Sequence, residues 1–128
     1  MNTQIQFCLA AKDPNGQATI GITRNQSALT NLVLENDDIN LKDINRWKPN
    51  DYLNIWVVND INSLSFGPGI AGYAFFPSAH GLPQDGIVCE AKYFGLSSAE
   101  DALLIHEAGH YLGLYHTFEV VVLTMTVL

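Results

Sequence analysis

Apolar and polar positions alternate most clearly in two stretches. Gln4 to Ala11 alternates and then meets Asp13-Pro14-Asn15-Gly16, a pattern that predicts a strand closed by a turn. Tyr52-Leu-Asn-Ile-Trp-Val-Val58 is β-branched, aromatic and nearly continuous, which predicts a central strand covered on both faces. Shorter strands are predicted over Tyr73 to Phe76, stopped by Pro77, and over Gly86 to Phe94, with a brief extended stretch from Thr19 to Thr23. From Asn25 to Pro49 the chain is rich in Asn and Asp. Leu29, Leu32 and Leu34 set up no sustained period there, so this part reads as loop with at most a short helical turn. Asn59 to Ile70 and Ser78 to Gln84 also read as loops.

One helix is well specified. Ser97-Ser-Ala-Glu100 is a capping box, with Ser97 as N-cap and Glu100 three residues into the helix. Glu100 and Asp101 complement the positive end of the helix dipole. The helix runs on through Ala102 to Leu112, and Gly113 is the natural residue to end it. Several strands followed by one helix predict an α+β or mixed α/β layer domain.

A length of 128 residues suits one domain, and 48% apolar with 15% charged residues is a globular composition. The net charge of −7 comes without any Lys/Arg cluster, which excludes a nucleic-acid partner. No apolar run approaches the ~20 residues of a membrane span. The N-terminus carries no signal-peptide pattern, so the chain is expected to be cytoplasmic or a piece of a secreted precursor. Cys8 and Cys89 each lie in an apolar, strand-like run and read as buried free thiols, with a disulfide as the open alternative. His80, in a Pro/Gly loop, reads as a solvated histidine. Trp47, Trp56 and Tyr93 read as packing residues.

The candidate chemistry lies on the helix. His106 and His110 are four residues apart, so they project from one face, one turn apart. Two imidazoles so placed can meet one zinc ion. Glu107 stands beside the first ligand, within reach of a metal-polarised water that would act as nucleophile; it would take that water's proton and pass it to the leaving amine. Gly113 allows the chain to turn, and His116 returns as a third ligand. Three protein ligands plus water is the open coordination of a catalytic site, whereas a structural zinc site closes with four. The bland alternative is a set of half-buried helix histidines with Glu107 paired to one of them. Agreement among cap, ligands, base and helix breaker weighs against it.

The pattern His106-Glu107-x-x-His110-x-x-Gly113-x-x-His116 resembles that of the metzincin zinc endopeptidases. Flanking words resemble the pappalysin branch, including its bacterial cytophagalysin-like members: Phe7 to Gly16, Gly21 to Arg24, Tyr52 to Asn59, Gly72 to Pro77, Asp85 to Val88, and His106 to Phe118. The resemblance implies a zincin-like N-terminal subdomain over residues 1–119. Its twisted, mixed, mostly parallel sheet would be backed by helices, with the zinc helix beneath a cleft. It implies one catalytic zinc held by His106, His110 and His116, with Glu107 as base. It also implies that Gly72, Tyr73, Ala74 and Phe75 form the cleft's upper rim, an edge strand to which an extended polypeptide substrate pairs. A monomer is expected. The family further implies secretion with a propeptide, and often calcium, although no acidic cluster here offers calcium ligands.

After Phe118 the flanking resemblance ends. Metzincins continue with a C-terminal subdomain that contains a methionine turn, and Met125 stands in no such setting. Codons for Val120 to Val127, read two bases on with G at the degenerate positions, spell a Gly-rich and then acidic sequence of the kind the family shows there. A frameshift just after Glu119 is therefore expected, with an ordinary divergent terminus or a cut fragment as the alternatives. The rival to the enzyme is a truncated, catalytically impaired zinc-binding module. A third reading is a metallohydrolase acting on a non-peptide amide.

Overall fold

The computed structural model describes residues 4–93 and 102–118 of the chain. The predicted capping box at Ser97 to Glu100 and the tail from 120 to 128 lie outside the described residues. Six strands and two helices are described: β1 (Asn31–Val33), α1 (Leu34–Ile44), β2 (Ile55–Val58), β3 (Asp60–Ser63), β4 (Gly67–Pro68), β5 (Gly72–Ala74), β6 (Ile87–Glu90) and α2 (Ala102–Tyr111).

The strands form two three-stranded mixed sheets, ordered β1-β3-β4 and β2-β6-β5. β1 runs parallel to β3 and β2 parallel to β6, while β4 and β5 join antiparallel at the edges. The two sheets meet where β2 passes into β3 at Asn59, whose amide donates to the Thr30 carbonyl at 2.8 Å. The expected mixed α/β class is thus observed, with the single sheet divided at this bend.

Several sequence expectations are corrected. β2 is an edge strand, and its outward side chains Ile55 and Val57 are 39% and 48% exposed; the central, fully buried strand is β6. The alternating run from Gln4 forms no strand. It flanks the predicted turn, which is real: Asp13 Oδ1 accepts from the Asn15 and Gln17 amides, and a single antiparallel bridge joins Lys12 to Ala18. Cys8 is exposed, and only Cys89 is buried; both are free thiols.

The stretch read as an Asn/Asp-rich loop contains α1. Asp37 Oδ2 takes the Val33 amide at 2.8 Å, satisfying one of the donors that a helix start leaves open, and Glu35 and Asp37 fall in the first turn while Lys42 falls in the last, as the helix dipole favours. The buried face of α1 is Asp38, Leu41 and Lys42, two of the three charged, so no apolar period marks it. The second presumed loop contains β3 and β4. Glu35 organises their connection by accepting from the Ser63 hydroxyl and from the Leu64 and Ser65 amides.

Register decides what each face of the second sheet meets. Trp56, Val88 and Tyr73 form one row across β2, β6 and β5, and Val57, Cys89 and Gly72 form the next row. Successive residues point to opposite faces. The first row faces α1, where Leu32, Leu41, Val58, Ile61 and Val88 make the core with Trp56 and Tyr73 packed against it. The second row faces α2.

Candidate metal centre and active site

α2 lies against β5 and β6. Small side chains on those strands set how closely it approaches. A Cβ at Gly72 would stand 3.0 Å from the Val88 carbonyl oxygen, 3.3 Å from Glu107 Cγ and 3.4 Å from Cys89 Sγ. Glycine at 72 is therefore what lets the helix bring Glu107 down onto the sheet. Glu107 is 5% exposed. Burial pushes its pKa up, and His110 and His116 pull it partly back. Cys89, beneath it, is pushed up to about 12 by burial and by the Glu107 charge, which makes it an inert packing thiol at neutral pH.

The end of α2 is a Schellman turn. The Leu114 amide donates to the Gly109 carbonyl and the Gly113 amide to the His110 carbonyl, both at 2.9 Å, with Gly113 at φ +95°. The turn reverses the chain so that the Leu114 carbonyl accepts from His110 Nδ1 at 2.8 Å. That bond leaves the lone pair of the neutral ring on Nε2, and it brings His116 round to the same point.

The three Nε2 atoms of His106, His110 and His116 lie 2.9–3.1 Å from one another. Hydrogen bonds among the rings cannot account for this. Each nitrogen either carries a proton or a lone pair, so among three mutual contacts at least one joins two like groups. A single cation facing all three lone pairs removes the conflict. Three nitrogens at about 2.0–2.1 Å from one tetrahedral ion stand about 3.3 Å apart, close to the spacing found. Burial and the neighbouring imidazoles also depress the His106 pKa, which favours the neutral form a ligand needs. The donor set thus fits zinc. Among the described residues no other cluster of three or more His, Cys, Asp or Glu side chains could hold a metal ion, so no calcium site is assigned. Glu107 is not part of the ligand cluster.

A cavity of about 350 Å3 opens beside the three histidines, lined by Ile105, Gly109, Leu114, Tyr115, Thr117 and Phe118. Phe76 stacks on Tyr115 at 4.7 Å and leans on the His110 ring at 5.6 Å. The Phe118 ring stacks on His116 at 4.7 Å. No periodic pattern singles out these aromatic walls, because Phe76 follows a three-residue strand and Tyr115 and Phe118 lie in the irregular segment after α2.

His80, read as a solvated loop residue, is exposed but engaged. Its Nε2 contacts the Tyr111 carbonyl at 2.9 Å and its ring stacks on Tyr111. It therefore caps the end of α2 and is not a ligand. Tyr111 is itself pushed up to about 12 by burial and by Asp85.

Of the predicted rim residues, Gly72, Tyr73 and Ala74 form β5 and Phe75 follows it; β5 is an edge strand. The Glu90 amide donates to the Ala71 carbonyl at 2.8 Å, so the hydrogen-bonded pairs with β6 fall at Ala71 and Tyr73. The main-chain groups of Gly72 and Ala74 are consequently directed away from β6.

The family model for peptidase family M43, described as pregnancy-associated plasma protein-A, matches residues 34–124. No curated protein sequence matches the chain. Among solved structures, mature mirolysin of Tannerella forsythia in complex with a cleaved peptide is 35% identical with a TM-score of 0.72, covering 91% of this chain and 45% of that one. A promirolysin mutant from the same organism is 34% identical with a TM-score of 0.72, covering 91% of this chain and 39% of that one. Mirolysin with a bound compound is 33% identical with a TM-score of 0.68, covering 87% and 43%. The chain spans less than half the length of these structures. With the histidine triad, the mixed sheet and a match over most of its length, the chain belongs to the pappalysin family of metzincin-type peptidases, M43.

Proposed function

We propose that the chain carries the metal-binding half of a zinc endopeptidase site. The observation that carries this reading is the convergence of three imidazole nitrogens beside a buried glutamate that is not itself a ligand. His106, His110 and His116 would hold the ion. When bound, zinc supplies Lewis acidity that brings the pKa of a water down to about 7. Glu107, its own pKa raised by burial, takes the proton from the attacking water on its carboxylate and returns it to the departing amine. Gly72 and Ala74 on β5 bind and orient an extended peptide through main-chain hydrogen bonds, and Tyr73 and Phe75 set the strand that does so. Mirolysin in complex with a cleaved peptide supports a polypeptide as the substrate class.

A second reading, a zinc-binding module without turnover, is favoured by one observation. Ile105, Leu114, Tyr115 and Phe118, which line the cavity, are 66–78% exposed, so one side of the cavity is open to water.

Zinc stoichiometry and the cleavage of casein or a quenched peptide library separate the two. The endopeptidase reading predicts one zinc per chain and chelator-sensitive cleavage. It also predicts that Glu107→Gln keeps the zinc while losing about 10²–10⁴-fold in rate. One zinc with no cleavage by the unaltered chain would establish the module instead.

A further inference from the structure

Lys42 is completely buried, which is unusual for a charged side chain in a domain this small. Its ammonium lies 2.7 Å from Asp38 Oδ1, one helical turn earlier on α1, and donates to the Gln84 carbonyl at 2.6 Å. The hydroxyl of Tyr73, the middle residue of β5, donates to the same Asp38 Oδ1 at 2.5 Å. The ammonium also faces three rings, with Phe75, Tyr73 and Trp56 centroids at 4.6, 5.2 and 5.8 Å. Trp56 and Tyr73 flank Val88 in one row, so a single cation on α1 spans the sheet from one edge strand to the other.

Buried ion pairs of this kind contribute little net stability, and apolar replacements of similar volume are often neutral or stabilising. What such a pair does supply is direction. Tyr73 points at α1 while the main chains of Gly72 and Ala74, on either side of it, are directed away from β6 at the open edge. Fixing the Tyr73 hydroxyl therefore fixes the two residues whose main chains face outward.

We propose that the buried Lys42–Asp38 pair, through the Tyr73 hydroxyl, is a positioning device that holds β5 in place for pairing with an extended peptide. This rests on the peptide-pairing role of β5 proposed above. Lys42 and Asp38 lie on α1 and act on β5 through the Tyr73 side chain, so they are positioning residues. Replacing both charges together avoids leaving one buried and unpaired, and Tyr73→Phe removes a single hydroxyl.

The test uses the full chain with one equivalent of zinc in a Glu107→Gln background, so that peptide is bound and not consumed. Amide hydrogen exchange at residues 72–74, affinity for a fluorescein-labelled casein peptide, zinc stoichiometry and thermal midpoint are measured with Tyr73→Phe and with Asp38→Asn/Lys42→Met. Exchange at the amide of residue 73, the one β5 amide directed at β6, at least about tenfold faster, and peptide binding about tenfold weaker, with zinc stoichiometry and midpoint nearly unchanged, would bear out the proposal. Unchanged β5 exchange and peptide affinity in both variants would overturn it. If β5 exchange accelerates but the zinc-loaded parent binds no peptide, anchoring of the strand is supported and the peptide-pairing reading is what fails.

Discussion

At residue scale, the centre depends on which side chains are missing as much as on which are present. Glu107 reaches the sheet because residue 72 has no Cβ, and Cys89 beneath it is small enough to fit. Alanine at 72 would press on the Val88 carbonyl at 3.0 Å and on Glu107 Cγ at 3.3 Å. Relieving the first contact disturbs the β5–β6 ladder, and relieving the second moves the Glu107 side chain off the sheet. Gly72→Ala is expected to cost about 1–3 kcal/mol of stability, read as a lower denaturant midpoint with unchanged m-value. The His110 ring shows the complementary case. Its tautomer is set by the Leu114 carbonyl, a main-chain atom that no motif would single out.

At the scale of elements, the turn after α2 builds the third ligand into the site. Gly113 adopts φ +95°, and a Cβ there would meet the Pro77 ring at 3.3 Å. Gly113→Ala is expected to destabilise the fold by about 1–2 kcal/mol. It should also loosen zinc by about 10–100-fold, because the carbonyl that orients His110 belongs to this turn. A thermal melt and a zinc titration against a competing chelator measure the two effects. This part of the molecule was legible in the sequence, because ligands four apart on a helix and a glycine after its last turn are local facts. α1 was not legible: the face it buries carries Asp38 and Lys42, so its pattern of apolar positions shows no helical period. β2 was misplaced for the opposite reason. Its continuous apolar run implies two covered faces, yet Ile55 and Val57 remain exposed at a sheet edge. The edge position of β5 came from resemblance, since three residues of strand carry no pairing information of their own.

At the scale of the whole molecule, α1 and α2 hold the sheet from opposite faces. One supplies the polar anchor at Lys42 and the other the metal ligands, and the packing between them sets the height of β5 above His106, His110 and His116. The fold also has an acid-labile joint. The Ser63 hydroxyl first, and then the Leu64 amide, hold the Glu35 carboxyl down from 4.5 to about 2. Between those values the unfolded chain binds more protons than the folded one, so stability is present above pH 4.5 and is lost as pH falls towards 2. Denaturant melts along this range should show a fall in stability that Glu35→Gln flattens. The central claim is an open zinc centre built from three histidines, and X-ray absorption at the zinc edge of the loaded chain tests it most directly. The account predicts three imidazole nitrogens at about 2.0–2.1 Å and a further light ligand that changes when a small inhibitor is added. A shell of four protein ligands, or one containing sulfur, would contradict it.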